Sequence, residues 1–142
     1  MITEFKCHIS QSAIDDLRSR LRKTRWTDEI KHSNWQFGTS LSYTRELADH
    51  WANKFDWRKV ENEINQYPNY LAEIDGTKIH FLHVRGKGEK SVPLMITHGW
   101  PGSFLEMNKL IIPLTTNPEF SFDLIIPSIP GFGFSQKINV PG

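Results

Sequence analysis

Up to Pro68, apolar residues recur along the chain at the spacing of amphipathic helices. Ser10 is the predicted N-cap of a first helix and Ser42 that of a second, because a serine hydroxyl can accept a hydrogen bond from an N–H of the first turn. Asp56 can cap a third helix, which is expected to end before Pro68 because proline cannot continue it. The predicted apolar stripes are Ala13, Ile14, Leu17 and Leu21; Leu47, Trp51 and Phe55; and Trp57, Val60 and Ile64.

After Pro68 the pattern changes to short apolar runs that glycine and proline interrupt. Two of these runs, Leu71 to Ile74 and Lys78 to Val84, flank the dipeptide Asp75-Gly76. An Asp-Gly pair between two apolar runs is typical of a tight hairpin turn, because both residues tolerate a positive φ. The second half of the chain is therefore predicted to begin with an antiparallel pair of strands.

The next predicted elements are a strand, a helix and a strand. Val92 to Thr97 is a continuous apolar run, which is expected of a strand covered on both faces. Ser103 or Gly102 starts the helix, and Phe122 to Ile126 is a second run of the buried type. This order is typical of a βαβ unit with parallel strands and a right-handed crossover.

The predicted fold class is therefore α/β, with two parts. Residues 1–69 form a helical N-terminal meander, and residues 70–142 form the first strands of an α/β sheet. The sheet is expected to be incomplete, because a parallel sheet needs helices on both faces and the sequence offers one crossover helix. Four tryptophans of the meander, Trp26, Trp35, Trp51 and Trp57, are predicted to be packing residues.

Composition narrows the functional classes. A formal net charge of +1 over 142 residues gives no electrostatic reason to expect a nucleic-acid partner. The single cysteine, Cys7, excludes an internal disulfide framework and is interpreted as a packing residue. No stretch approaches the roughly 20 apolar residues of a membrane span, and the N-terminus lacks the pattern of a signal peptide. A cytoplasmic protein is expected.

The segment with the clearest chemical potential is His98-Gly99-Trp100-Pro101, between the Val92–Thr97 strand and the following helix. Ligands of open α/β sheets bind beyond the carboxyl ends of strands, where this segment lies. Its glycine lets the backbone turn and expose N–H groups, which can stabilise an oxygen that gains negative charge. Trp100-Pro101 is a candidate for a cis bond. From spacing alone, a plain strand-to-helix turn is an equally good interpretation.

Other residue types that carry chemistry form no recognisable constellation. His80 and His83 are three apart in a strand and so point to opposite faces, which argues against a shared metal. No metal site is expected. Asp123 and Ser103 do not lie in a Gly-x-(Ser or Asp)-x-Gly elbow, the strand–turn–helix motif that holds an α/β-hydrolase nucleophile, and the sequence contains no such elbow.

Seven segments along the chain carry a resemblance: Leu17–Leu21, Thr24–Trp26, Phe55–Arg58, Ile74–Gly76, Ile79–Phe81, His98–Phe104 and Pro127–Ser135. Through them nearly the whole chain resembles the N-terminal region of the epoxide-hydrolase family that includes the microsomal and juvenile-hormone enzymes and bacterial relatives. The His-Gly-x-Pro segment is shared with many α/β-hydrolases, whereas the full set of segments is highly specific.

The resemblance implies an α/β-hydrolase fold and a mechanism without metal or organic cofactor. An aspartate attacks a small apolar epoxide and forms an ester, which a histidine-activated water then hydrolyses to a vicinal diol. The backbone N–H of Trp100 is implied to stabilise the oxyanion in the second step. His98, Gly99 and Pro101 are implied to shape the loop.

Because the sequence has no nucleophile elbow, the 142 residues are expected to be inactive by themselves, the remainder of the enzyme lying beyond Gly142. Two alternatives stay open. The chain could be a non-catalytic module that binds a hydrolase or an apolar ligand, or part of another α/β-hydrolase such as an esterase or dehalogenase. An unpaired apolar strand at the sheet edge also predicts self-association.

Overall fold

The computed structural model of the protein describes residues 1–138. A short 3₁₀ turn at Phe104–Met107 precedes the last helix. The remaining elements, in chain order, are β1 (Ile2–Phe5), α1 (Gln11–Arg22), α2 (Leu41–Asn53), α3 (Trp57–Asn65), β2 (Asn69–Ile74), β3 (Thr77–Val84), β4 (Lys90–Met95), α4 (Asn108–Thr115) and β5 (Phe120–Pro127).

The strands form one mixed sheet in the order β1-β2-β3-β5-β4. β1, β2, β3 and β5 pair antiparallel with one another in that order, and β4 pairs parallel with β5. The predicted hairpin is confirmed: Ile74 pairs with Thr77, and the two residues between them, Asp75 and Gly76, have φ values of 49° and 77°. The predicted α/β class and the strand–helix–strand unit that ends in β5 are also confirmed.

One face of the sheet is buried and the other is open. Because side chains alternate along a strand, Leu82, Leu124 and Ile126 lie on the buried face, where α4 supplies Ile111; each is at most 1% exposed. On the opposite face, a groove of about 410 Å³ is open. It is lined mainly by apolar side chains, namely Ile2, Tyr70, Ala72, Ile74, Ile79, Phe81, His83, Met95, Ile125 and Pro127.

The prediction that Val92–Thr97 is a strand covered on both faces is wrong in two respects. The strand spans Lys90–Met95, and Val92 and Met95 are 44% and 62% exposed. Among the described residues β4 lies at the edge of the sheet, and α4 packs against the neighbouring strand β5. An apolar run therefore shows that a strand could be buried, whereas its actual burial depends on which other elements pack against it.

The chain forms two compact units. One contains Met1–Cys7 and the segment from Asn62 onward, which includes the sheet, and the other is His8–Glu61. The sequence did not predict β1, although its four residues pair with Asn69–Ala72 of β2. The division into residues 1–69 and 70–142 stays a prediction.

In the unit His8–Glu61, the predicted caps hold at two of three helices. The Ser10 hydroxyl accepts from the Ala13 N–H at 3.2 Å, and the Asp56 carboxylate accepts from the Arg58 N–H at 3.0 Å. The prediction of Ser42 as the second N-cap is wrong: α2 begins at Leu41, and its N-cap is Ser40. Both serines have a hydroxyl that could cap a helix. Ser40 is the cap because its backbone is non-helical, with ψ 130°, whereas Ser42 already lies inside the helix.

Replacing Ser40 with alanine is expected to lower the free energy of unfolding by about 1 kcal/mol, because the Tyr43 N–H then loses its acceptor. Ser42→Ala is the matched control, since Ser42 lies inside α2, and it should cost less. Urea denaturation of both variants measures the difference. A larger loss for Ser42→Ala would contradict the assignment of the cap.

The tryptophans of the helical unit are less buried than the sequence predicts. Trp35 and Trp51 are 58% and 45% exposed, so the packing prediction is wrong for these two. In α2 the buried residue is Ala52, at 3% exposure. The Arg45 guanidinium lies 5.5 Å from the ring centre of Trp26, a cation–π distance. Helical spacing predicts a shared face but does not identify what covers it.

Candidate functional site

The predicted oxyanion loop, His98–Ser103, follows β4 and leads into the 3₁₀ turn. The helix that was predicted to start at Ser103 or Gly102 begins as this turn, and α4 itself starts at Asn108. The Ser103 hydroxyl accepts from the Leu105 N–H at 3.3 Å. The Glu106 carboxylate accepts from the Ser103 N–H at 2.9 Å, which completes a capping box. The loop is therefore anchored at its carboxyl end by two reciprocal hydrogen bonds.

His98 is buried, with 3% of its surface exposed, and both of its ring nitrogens are engaged. Nε2 lies 3.1 Å from the backbone nitrogen of Ile129, and Nδ1 lies 3.0 Å from the carbonyl oxygen of Gly99. An amide N–H can only donate, so Nε2 accepts and the ring hydrogen resides on Nδ1. His98 is thus a neutral imidazole that donates to Gly99 and accepts from Ile129.

Trp100 differs from its neighbour in being 83% exposed. Its backbone N–H and the Gly99 carbonyl belong to one planar peptide and point in opposite directions. Because His98 holds that carbonyl, it also sets the direction of the Trp100 N–H. Within residues 1–138 this N–H has no acceptor. The Trp100-Pro101 bond is cis, as predicted.

The two glycines of the loop stand in different surroundings. A Cβ at Gly99 would meet no described atom within 4 Å. A Cβ at Gly102 would overlap the Glu106 carboxylate and lie 2.9 Å from the Gly99 carbonyl oxygen. Neighbouring atoms therefore exclude a Cβ at position 102, whereas they leave space for one at position 99. The loop-shaping roles of His98, Gly99 and Pro101 stay predictions.

A second loop, from Ser128 to Ser135, lies against His98. Ser128 is fully buried, and its carbonyl accepts from the Ser135 hydroxyl at 2.7 Å. The loop turns at Gly131 and Gly133, whose φ values of 86° and 51° favour glycine. At Gly133 a Cβ would also lie 3.1 Å from the Cβ of Ser128. This tight loop presents the Ile129 N–H to His98.

His80 of β3 joins this second loop to the sheet. Its backbone N–H donates to the Ser135 hydroxyl and its carbonyl accepts from the Ser128 N–H, each at 2.8 Å. Its ring is 2.9 Å from the Ser128 Oγ and 3.0 Å from the Asn69 Oδ1. The side chain is fully buried, and burial lowers the pKa of His80 to about 4.

The structure does not bring the remaining candidates together with this loop pair. Asp123 lies within β5, and its carboxylate accepts from the Gly86 N–H at 2.9 Å, from Arg85 and from Ser91. These bonds, that from Gly86 first, hold the pKa of the Asp123 carboxyl below its ordinary value. Asp123 therefore fixes the loop before β4.

Residues 1–138 contain neither a cluster of metal-ligating side chains nor a helix that could cross a membrane. The side chains of histidine, cysteine, aspartate and glutamate form no group of three that could hold a metal ion there. No helix in the same stretch has the length and apolar character needed to cross a bilayer.

Sequence reasoning missed the residues that hold the loop from behind, namely His80, Ser128, Ile129 and Asn69. The side-chain hydrogen bonds of His80 with Asn69 and Ser128 join positions 11 and 48 residues apart, and that of its backbone N–H with Ser135 spans 55, which no local pattern reveals. One signal was present, because His80 lies two residues before Leu82 and therefore shares its face of the strand. A polar residue at such a position usually has hydrogen-bond partners.

The sheet, the strand-to-helix loop and the family comparison together define the class of protein. The family model described as "Epoxide hydrolase N terminus" matches residues 2–107. A crystal structure of juvenile hormone epoxide hydrolase from Bombyx mori superposes with a TM-score of 0.92 and 30% identity, over 100% of this chain and 35% of that one. The chain therefore belongs to the epoxide hydrolase N-terminal family, with an α/β-hydrolase fold.

Curated relatives agree with this assignment. A putative epoxide hydrolase of Stigmatella aurantiaca is 46% identical over 96% of this chain and 32% of its own length. Epoxide hydrolase 1 of Sus scrofa is 40% identical over 99% of this chain and 33% of its own length. The chain thus spans about a third of the length of the curated relatives it matches.

Proposed function

We propose that this chain supplies the oxyanion loop of an epoxide hydrolase that converts a small apolar epoxide and water to a vicinal diol. In this proposal an aspartate opens the epoxide and forms an ester, and the Trp100 N–H stabilises the oxyanion that forms when water attacks that ester. The family and its relatives support the reaction class. No metal or organic cofactor is part of the proposal.

The observation that carries the proposal is the free, directed N–H of Trp100. It has no acceptor in residues 1–138, it lies beyond the end of β4, and its peptide plane is held by His98. A donor fixed before the reaction stabilises developing charge without the cost of reorganising at that moment. The buried ring of His98, which contacts the Gly99 carbonyl, supports the predicted loop-shaping role of His98.

One N–H is half of an oxyanion hole, so the complete site requires a second donor as well as the catalytic side chains. Because the sequence has no Gly-x-(Ser or Asp)-x-Gly elbow, we assign the nucleophile, the second donor and the catalytic histidine to segments outside these 142 residues. The relatives are about three times as long as the matched stretch, which leaves room for them.

The first experiment measures the reaction class in the protein that carries this chain together with such segments. We expect conversion of an aryl epoxide to the diol and no turnover of a p-nitrophenyl ester. Mass spectrometry after rapid quenching should detect a covalent ester on an aspartate. Ester turnover without epoxide turnover would favour an esterase, and inactivity towards both would favour a non-catalytic module.

A backbone substitution tests Trp100 directly. Replacing the amide of position 100 with an ester, by incorporating the α-hydroxy analogue of tryptophan, removes the N–H and keeps the ring. We expect hydrolysis of the covalent intermediate to slow by roughly 10²- to 10³-fold, the usual cost of losing one oxyanion donor. Trp100→Phe is the matched control, because it keeps the N–H and changes the ring. Equal rates for the two variants would contradict the assignment.

We also propose that the 142-residue chain, expressed alone, associates with a second copy through β4. This strand is at the sheet edge in the described residues, and Val92 and Met95 are exposed on it. Val92→Lys should lower the association constant, since a charged residue on an edge strand opposes pairing. Sedimentation over a range of concentrations measures it, and a wild-type monomer at every concentration would contradict the proposal. The cytoplasmic location stays a prediction.

A further inference from the structure

Two consecutive residues, Ser128 and Ile129, are each held by a histidine ring. The Ser128 Oγ lies 2.9 Å from Nδ1 of His80, and the Ile129 backbone nitrogen lies 3.1 Å from Nε2 of His98. The two rings are 0% and 3% exposed. The dipeptide therefore joins a histidine of the sheet to the histidine of the oxyanion loop.

The partners of His80 determine which of its nitrogens carries the hydrogen. The side-chain amide of Asn69 donates to the carbonyls of Ile64 and Tyr67, at 3.0 and 2.7 Å, which leaves its Oδ1 as an acceptor only. Nε2 of His80 therefore donates to Asn69. Nδ1 has no hydrogen and accepts from the Ser128 hydroxyl.

The surroundings of the His80 ring favour this single arrangement. Phe5, Phe104 and Phe134 lie edge-on to it, with ring centres 5.1, 4.9 and 5.2 Å away. Apolar walls of this kind disfavour a charged imidazolium, because they cannot solvate its charge. His80 therefore carries its hydrogen on Nε2, and His98 carries its hydrogen on Nδ1.

From these contacts we infer that His80 is a positioning residue for the Trp100 N–H. His80 fixes Ser128, the adjacent Ile129 N–H fixes the ring of His98, and His98 fixes the Gly99 carbonyl and with it the peptide plane of Trp100. The inference rests on the proposed function for the catalytic meaning of that N–H. The chain of hydrogen bonds itself does not depend on it.

Two variants separate positioning from core packing, because each keeps one of the two ring hydrogen bonds. The carboxamide oxygen of His80→Asn can replace Nδ1 and accept from Ser128, whereas the contact with Asn69 is lost. The amide of His80→Gln can replace Nε2 and donate to Asn69, whereas the Ser128 contact is lost. Both variants remove the aromatic ring. A loss that concerns packing alone should therefore be similar in the two.

Amide hydrogen exchange of the intact protein, followed by NMR, is the readout. The Ile129 amide should exchange roughly fivefold to tenfold faster in His80→Gln than in His80→Asn, as expected for the loss of about one hydrogen bond. Ser128→Ala, which leaves the ring of His80 in place, should resemble His80→Gln. Ile126, in the core of β5, is the internal reference for global stability in each variant. Equal Ile129 exchange in the Asn and Gln variants would overturn the inference.

A measurement on the unmodified protein covers the case in which the His80 variants do not fold. ¹⁵N spectra distinguish an imidazole nitrogen that carries a hydrogen from one that does not. We expect the hydrogen on Nε2 of His80 and on Nδ1 of His98 at neutral pH. The opposite assignment for His98 would remove the link through Ile129 and overturn the inference.

Kinetics of the active protein complete the test and keep the two proposals distinguishable. His80→Gln should slow hydrolysis of the covalent ester more than its formation, so that the ester accumulates, while His80→Asn should recover most of the rate. Equal slowing of both steps would contradict positioning of the oxyanion donor. If no diol forms in the unmodified protein, the proposed function is contradicted. The exchange and tautomer measurements then still test the hydrogen-bond chain from His80 to Trp100.

Discussion

Ile111→Ala is expected to lower the free energy of unfolding by about 2–5 kcal/mol, the usual cost of removing a buried isoleucine side chain down to alanine. Ile111 is fully buried on α4, which packs against β5, the strand that contains the buried Leu124 and Ile126. The loss combines the transfer of the removed methyl and methylene groups with the cavity that they leave. Denaturant titration followed by circular dichroism measures it.

The chain offers a matched control one residue further along the same helix. Ile112 is the same residue type in α4 and is 54% exposed. Ile112→Ala should change the free energy of unfolding by less than about 1 kcal/mol, because little surface is buried there and alanine favours the helix. Similar losses for the two variants would mean that α4 does not present Ile111 to the sheet.

Acidification is expected to destabilise the protein through His80. Burial lowers its pKa from 6.5 to about 4 in the folded state, so between these pH values the unfolded chain binds a proton that the folded chain does not. The free energy of unfolding should therefore fall by about 1.4 kcal/mol per pH unit on acidification below pH 6.5. The total decrease should be about 3 kcal/mol near pH 4. Above pH 6.5 this contribution is complete and constant.

Denaturant titrations at a series of pH values test the effect. His80→Asn has no imidazole at this position and should lose most of the slope between pH 6.5 and 4.5, although it is less stable at neutral pH. His83→Asn is the control, because this histidine lies on the same strand and is only partly buried. If the His80→Asn and wild-type slopes coincide, the destabilisation arises from other groups.

Much of the fold could be predicted because its signals are local. The hairpin depends on Asp75-Gly76, and the first helix depends on Ser10 and the stripe that follows it. β5 was predicted because five consecutive residues from Phe122 to Ile126 have the composition of a strand apart from Asp123. In each case the residues that determine the element also make its hydrogen bonds or lie next to those that do.

β1 could not be predicted for the opposite reason. Its four residues, Ile-Thr-Glu-Phe, are mostly exposed, and the strand exists because Phe5 pairs with Asn69 and Ile2 with Ala72. The exposure of Trp51 and Val92 was missed because periodicity identifies a face without identifying its cover. Pairing and covering are decided by residues distant in sequence.

The candidate site divides in the same way. The loop around Trp100 was found from its own residues and from the family resemblance, and the cis bond at Pro101 was predicted from the tight turn. The support behind it was not found, because His98 reaches Ile129 and His80 reaches Ser128 across 31 and 48 positions of sequence. A motif identifies the groups that can face a substrate, whereas their orientation depends on contacts that only the folded chain brings together.

The pairing of β1 also has a consequence for the order of folding. The hairpin of β2 and β3 closes a two-residue loop, whereas β1 can join β2 only after residues 6–68 have been looped out. Loop-closure entropy opposes that contact more than the others, so β1 is expected to join the sheet late. During synthesis β1 leaves the ribosome before β2 and stays unpaired until β2 follows it. A bulky N-terminal tag would act on this late step, slowing the completion of the sheet without disturbing the hairpin.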